Sequence, residues 1–169
     1  MICWKKRSKE VDRYMAARPQ TIEVKAEMMI RRPVETVFQA FIDPDVTTKF
    51  WFTRSSGKLE ADRRVRWDWD MYGVGDDVYV RAIEDCRRIA VEYASDGTTA
   101  EWTFIPRSAG ETMVTITSAG FAGDDESIVS QALDAMGGYT MVLCGLKAYL
   151  EHGIELNLVA DRAPDAHVV

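Results

Sequence analysis

Residues 124–153, DDESIVSQALDAMGGYTMVLCGLKAYLEHG, form the stretch whose reading decides the fold. At about 100° per residue, Ile128, Ala132, Met136, Tyr139, Leu143, Leu146 and Leu150 fall within one sector of roughly 80°, while Ser130, Asp134, Gly145 and His152 lie opposite. Asp124, Asp125 and Glu126 open the segment, where carboxylates complement the positive end of a helix dipole. A helix of this length spans roughly 45 Å. Such a stripe needs a surface to cover, and the residues before it supply strands.

Working upstream, Arg64 to Met71 alternates strictly, with Val65, Trp67, Trp69 and Met71 on one face and Arg64, Arg66, Asp68 and Asp70 on the other. Further strand-like runs lie at Asp77–Asp85, Arg87–Tyr93, Thr99–Ile105 and Glu111–Ser118. Turn signals at Gly73-Val-Gly75, Asp96-Gly97 and Ser108-Ala-Gly110 separate them, the spacing of an antiparallel meander. Earlier still, Gln20–Ile30 has period two. Pro33 then marks a helix start for Val34–Ile42, Asp43-Pro44 ends it, and Asp45–Phe52 reads as a second short helix. The expected fold is α+β: a curved antiparallel sheet of six or seven strands wrapped around a long C-terminal helix, with two short helices after the first strand. This is a helix-grip.

One domain suits 169 residues with 47% hydrophobic content. Residues 1–18 read as a basic extension, 19–153 as the domain and 154–169 as a tail. Six basic residues against Glu10 and Asp12 put the extension at +4 and leave the remaining 151 residues at −10. So acidic a body repels a nucleic-acid backbone. The extension itself is compatible with an RNA or membrane arm, although a solvated extension or an upstream start site is the plainer reading. No run reaches eighteen apolar residues and no apolar stretch follows the start, so no membrane span or secretory signal is expected. Cys3, Cys86 and Cys144 are odd in number and scattered, which fits reduced thiols and a cytoplasmic setting.

Catalytic residues are scarce. The two histidines, His152 and His167, stand at the end of the long helix and near the C-terminus, and nothing supplies a zinc-ligand set, a phosphate loop or a nucleophile elbow. No metal, cofactor or catalytic residue is therefore assigned. Asp68 and Asp70 alternate outward, as do Glu92 and Glu101. An enzyme would need an ionisable group turned inward, and a bulge near Ala82–Ile83 is the place where Arg81 or Tyr79 could do so. What the sequence does offer is aromatic and thioether surface: Trp51, Trp67, Trp69, Met71, Tyr93, Trp102, Phe104, Met136, Tyr139 and Leu143 converge between sheet and helix. Such residues either fill the core or line a cavity for flat apolar molecules. Gly137-Gly138 inside the helix costs about 1 kcal/mol per glycine relative to alanine, so it marks either a kink or the close approach of a loop or partner chain.

The stretch RPVETVFQAFIDPDVTTKFWF from Arg32 resembles the opening helix of the SRPBCC superfamily (START and birch-allergen-like domains). It is most similar to the branch homologous to the activator of the ninety-kilodalton heat-shock-protein ATPase. VRAIEDCRRIAVEY from Val80, AEWTFIP from Ala100 and GGYTMVLCGLKAYLEHG from Gly137 extend that resemblance over roughly residues 20–153. The resemblance implies a hydrophobic cavity used for lipids, polyketides or other small molecules. The expected function is binding of a small hydrophobic or aromatic molecule for sequestration, transport or sensing. A cyclase or aromatase on the same fold and a module that binds the chaperone are the alternatives, and a homodimer is compatible with the sequence. The tail GIELNLVADRAP from Gly153 has no assigned role.

Overall fold

Strand β1 (Val24–Ile30) follows the alternation of its sequence: Val24, Ala26 and Ile30 are buried, Met28 packs against the core beside them, and Lys25 and Glu27 are exposed. In this computed structural model residues 22–165 are described; the basic leader at 1–18, Cys3 and His167 lie outside the described residues. After β1 come helices α1 (Val34–Ile42) and α2 (Pro44–Thr47), then strands β2 (Arg54–Ser55), β3 (Arg64–Trp69), β4 (Val74–Glu84), β5 (Arg88–Tyr93), β6 (Thr99–Ser108) and β7 (Glu111–Ala119). Helix α3 (Asp125–His152) and a short α4 (Leu158–Asp161) follow. The strands form one antiparallel sheet of seven in the order β1-β7-β6-β5-β4-β3-β2. This is the helix-grip arrangement, with both short helices following the first strand.

Register determines what the sheet presents. Val65 pairs with Val78, Val80 with Val91, Ile89 with Trp102, and Trp102 with Ile116, so these side chains share the concave face and all are nearly inaccessible. Each such burial removes a large apolar side chain from water and contributes about 1.5–3 kcal/mol. The expected bulge occurs where β4 slips register between Val80 and Ala82. It does not turn Arg81 or Tyr79 inward. The Arg81 guanidinium lies 4.3 Å from the Tyr79 ring centroid and pairs with Glu92 at 2.6 Å on the outer face. Glu101 pairs there with Arg88 at 2.7 Å, and Asp68 and Asp70 pair with Arg54 and Arg66.

Helix α3 begins where Asp124 accepts a hydrogen bond from Ser127 N at 2.8 Å and ends at Gly153, in the left-handed region at φ 68°. It is continuous through Gly137-Gly138. Its C-terminal turn is clamped to the end of β1 and the turn that follows. Glu151 accepts from Arg31 N at 2.7 Å and from Lys147 at 2.6 Å, and Lys147 also donates to the Met29 carbonyl.

The buried face of α3 is rotated from the expected stripe. Ala132, Tyr139, Val142, Leu143, Gly145 and Leu146 are buried, whereas Met136 is 43% exposed. Gly145, expected on the polar side, faces inward because Phe50 packs on its backbone. Met71 also departs from expectation. β3 stops at Trp69, and the 3-10 turn Asp70–Tyr72, closed by Gly73 at φ 65°, breaks the alternation that would have put Met71 beside Trp67.

Candidate functional site

The segment Phe50-Trp51-Phe52 carries the site's central aromatic. Asp43 caps α2 by accepting from Asp45 N, and the buried Thr47 hydroxyl donates to the Ala40 carbonyl at 2.7 Å, fixing α2 on α1. Trp51 N then bonds Thr47 O, and Thr53 N bonds Asp68 O. The indole of Trp51 is thereby held between β3 and α3, with ring centroids 5.0 Å from Trp67, 5.8 Å from Trp102, 6.2 Å from Tyr139 and 6.5 Å from Trp69.

On one side of Trp51 the interior is solid, and on the other it is not. Beyond Trp51 a cavity of about 380 Å³ separates the β3–β7 end of the sheet from α3, reaching solvent past Val74, which is 57% exposed. Of the expected ligand-facing residues, Trp51, Trp69, Tyr93 and Tyr139 line it. Trp67, Trp102, Phe104 and Leu143 do not: they are 0–3% exposed and form the packed layer behind. Met136 faces away from the cavity, and Met71 lines a separate shallow depression with Leu156, its sulfur 3.7 Å from the Thr53 hydroxyl.

Polar groups enter the cavity from places the alternation did not mark. Asp76, opposite Trp67 in the β3–β4 register, shares its concave face at the strand's end, where it accepts from the Ser95 hydroxyl at 2.6 Å and from Ser95 N at 3.1 Å. Asp96, in the β5–β6 turn, accepts from Thr98 N and from its hydroxyl. From α3 come Gln131, Asp134, Ala135, Gly138 and Val142, one helical face at spacings of three and four, beside Tyr139. That spacing is the only signal in the sequence that could have found them.

At the cavity floor the Tyr93 and Tyr139 hydroxyls are 3.2 Å apart, joining sheet to helix. Burial pushes the Tyr93 phenol well above its ordinary range, helped by the neighbouring Tyr139 and by the negative charges of Asp76 and Asp96. Burial raises Tyr139 as well. Both rings therefore stay neutral near pH 7, and one hydroxyl donates to the other. No histidine among the described residues lines the cavity. Among the described residues, no group of three or more His, Cys, Asp or Glu side chains is placed to hold a metal, and no helix is long and apolar enough to cross a membrane.

The C-terminal segment supplies one wall. Tyr72 donates its hydroxyl proton to the Val159 carbonyl, and Arg162 pairs with Asp134 at 2.6 Å. The Arg162 guanidinium lies over the glycine pair of α3: side-chain carbons added at Gly137 and Gly138 would lie 3.6 and 3.8 Å from its nitrogens. The helix does not break at the two glycines, and both added carbons would meet Arg162 only at ordinary contact distance.

The family model described as Activator of Hsp90 ATPase homolog 1-like protein matches residues 31–151. No curated protein matches. Among solved structures, a Staphylococcus saprophyticus protein is 30% identical, with a TM-score of 0.69 over 80% of this chain and 96% of that one. The Aha1 dimer from Colwellia psychrerythraea is 18% identical, with a TM-score of 0.66 over 78% of this chain and 98% of that one. The di-domain ARO/CYC BexL of the BE-7585A biosynthetic pathway is 14% identical, with a TM-score of 0.69 over 77% of this chain and 46% of that one. The last two bear on the fold alone.

Proposed function

The chain belongs to the Activator of Hsp90 ATPase homolog 1-like family, and from that premise we propose that it binds a small apolar or aromatic molecule between its sheet and its long helix, for sequestration, transport or sensing. The observation that carries this reading is the unfilled space of about 380 Å³ walled by Trp51, Trp69, Tyr93 and Tyr139. Tight interiors leave few voids larger than a water molecule, and one of this size, open to solvent, falls in the range of ligand sites. Free Cys86 and Cys144 accord with a reducing, cytoplasmic setting. Native mass spectrometry of freshly purified protein tests the proposal: a retained mass that is released on denaturation supports it. A protein that purifies empty and shows no thermal shift with any flat apolar compound counts against it.

A second reading, a cyclase or aromatase-like enzyme, is favoured by one specific feature. The Tyr93 and Tyr139 hydroxyls sit beside the tryptophans, and the one that accepts within the pair keeps its own proton to donate to a carbonyl that gains negative charge during reaction. Turnover of a ketone-bearing guest that Tyr139→Phe abolishes, with guest affinity kept, would establish that reading over simple binding. Activation of the chaperone rests on the family's description, and a homodimer on the dimeric Colwellia relative. Co-purification with ATPase stimulation, and sedimentation, test them respectively.

A further inference from the structure

We propose that the guest is a flat aromatic molecule carrying a positive charge, an aromatic amine or ammonium held between the indoles and the carboxylates of the cavity. This rests on the binding reading above and adds the guest's charge. Among the described residues, three carboxylates, Asp76, Asp96 and Asp134, line the cavity against a single cation, Arg162. Arg162 is spent on Asp134 at 2.6 Å, which leaves Asp76 and Asp96 uncompensated by any basic side chain of the lining. Their hydrogen bonds come from Ser95 and Thr98, neutral donors that fix the carboxylates in place without cancelling their charge.

The two carboxylates also act on the interior. Their charge helps hold the Tyr93 phenol protonated at the cavity floor, so the field that a guest would meet there is negative. Beside them stand Trp51 and Trp69, and ring faces attract cations, most strongly when water is excluded. Among the described residues, a carboxylate-bearing guest such as a fatty acid would meet in the lining only Arg162, already paired with Asp134. The protein's net charge of −6 adds long-range attraction of the same sign.

The test uses three tricyclic probes of matched shape at slightly alkaline pH: N-methylacridinium, neutral acridine and acridine-9-carboxylate. Affinities are read by calorimetry on the full-length protein at low and high salt. The expected result is that the cation binds at least tenfold more tightly than the anion, with a preference that shrinks as salt rises. That preference should fall severalfold in Asp76→Asn and Asp96→Asn; the second keeps the one oxygen that accepts from Thr98, the first keeps one of the two that accept from Ser95, and the fold of both is checked by thermal unfolding. Equal binding of all three probes, or tighter binding of the anion, overturns the charge assignment while leaving the binding function standing. A preference undiminished in both variants overturns the role of these two carboxylates. Failure of every probe to bind overturns both the inference and the function on which it rests.

Discussion

A side-chain carbon on Gly145 would lie 3.0 Å from Cβ of Phe50 and 3.2 Å from its carbonyl oxygen. Helix α3 and the loop that presents Trp51 thus meet so closely that a methyl group there would have to displace Phe50 by a few tenths of an ångström. Intrinsic preference favours alanine over glycine in a helix by about 1 kcal/mol, but overpacking against backbone costs about 1–3 kcal/mol. Gly145→Ala should therefore lower stability in chemical denaturation and displace Trp51, and Gly137→Ala should raise stability by about 0.5–1 kcal/mol, since its new carbon meets Arg162 only at ordinary contact distance.

Tyr139→Phe removes one side of the 3.2 Å hydroxyl pair at the floor. A single neutral hydrogen bond is worth about 0.5–1.5 kcal/mol, so the fold should survive while selectivity among guests that differ by one polar atom changes. Met136→Ala is the matched control. Its side chain is 43% exposed and outside the cavity, so guest affinity should not move, and calorimetry on both variants checks the pair.

The Glu151 side chain is only 7% exposed, and burial alone would raise its pKa. Hydrogen bonds from Arg31 N and Lys147, with the charges of Lys147 and Arg31, outweigh burial and hold it below its ordinary value of 4.5. A carboxyl lowered in the folded state contributes stability that is complete above its unfolded value and is lost as pH falls through the folded one. The wild-type protein should therefore lose stability below about pH 4.5. Glu151→Gln should be less stable at neutral pH and show a flatter acid limb in denaturant midpoints measured against pH.

Deleting residues 154–169 removes the wall formed by Val159 and Arg162. The Arg162–Asp134 pair is exposed on both sides, at 39% and 72%, and such pairs contribute about 0–1 kcal/mol. The truncated chain should remain folded, because the core cluster is built almost wholly from residues 26–150. It should release a bound guest faster, which stopped-flow displacement would measure.

The six long strands and the first short helix were legible because period two and the Pro33 signal are local; the second helix, expected over Asp45–Phe52, ends at Thr47, and the two-residue β2 is too short to show a period. The rotation of α3 was not legible either. Periodicity scores Gly145 as polar and Met136 as apolar, whereas Phe50, ninety-five residues upstream of Gly145, decides which of them is covered. Trp51, Trp69, Tyr93 and Tyr139 were legible as cavity candidates by their chemistry. Asp76, Asp96 and Arg162 were not, since they reach the cavity from a strand end, a hairpin turn and the tail, through contacts that no local pattern encodes.

The neighbouring indoles of Trp51, Trp67, Trp69 and Trp102 have an optical consequence. At centroid separations of 5.0–6.5 Å from Trp51, excitation absorbed by one ring passes among them before it is emitted. Only Trp51 and Trp69 border the open space, so a molecule entering it quenches light gathered by the whole set. The chain carries a built-in fluorescence reporter, and occupancy can be followed in real time without any label.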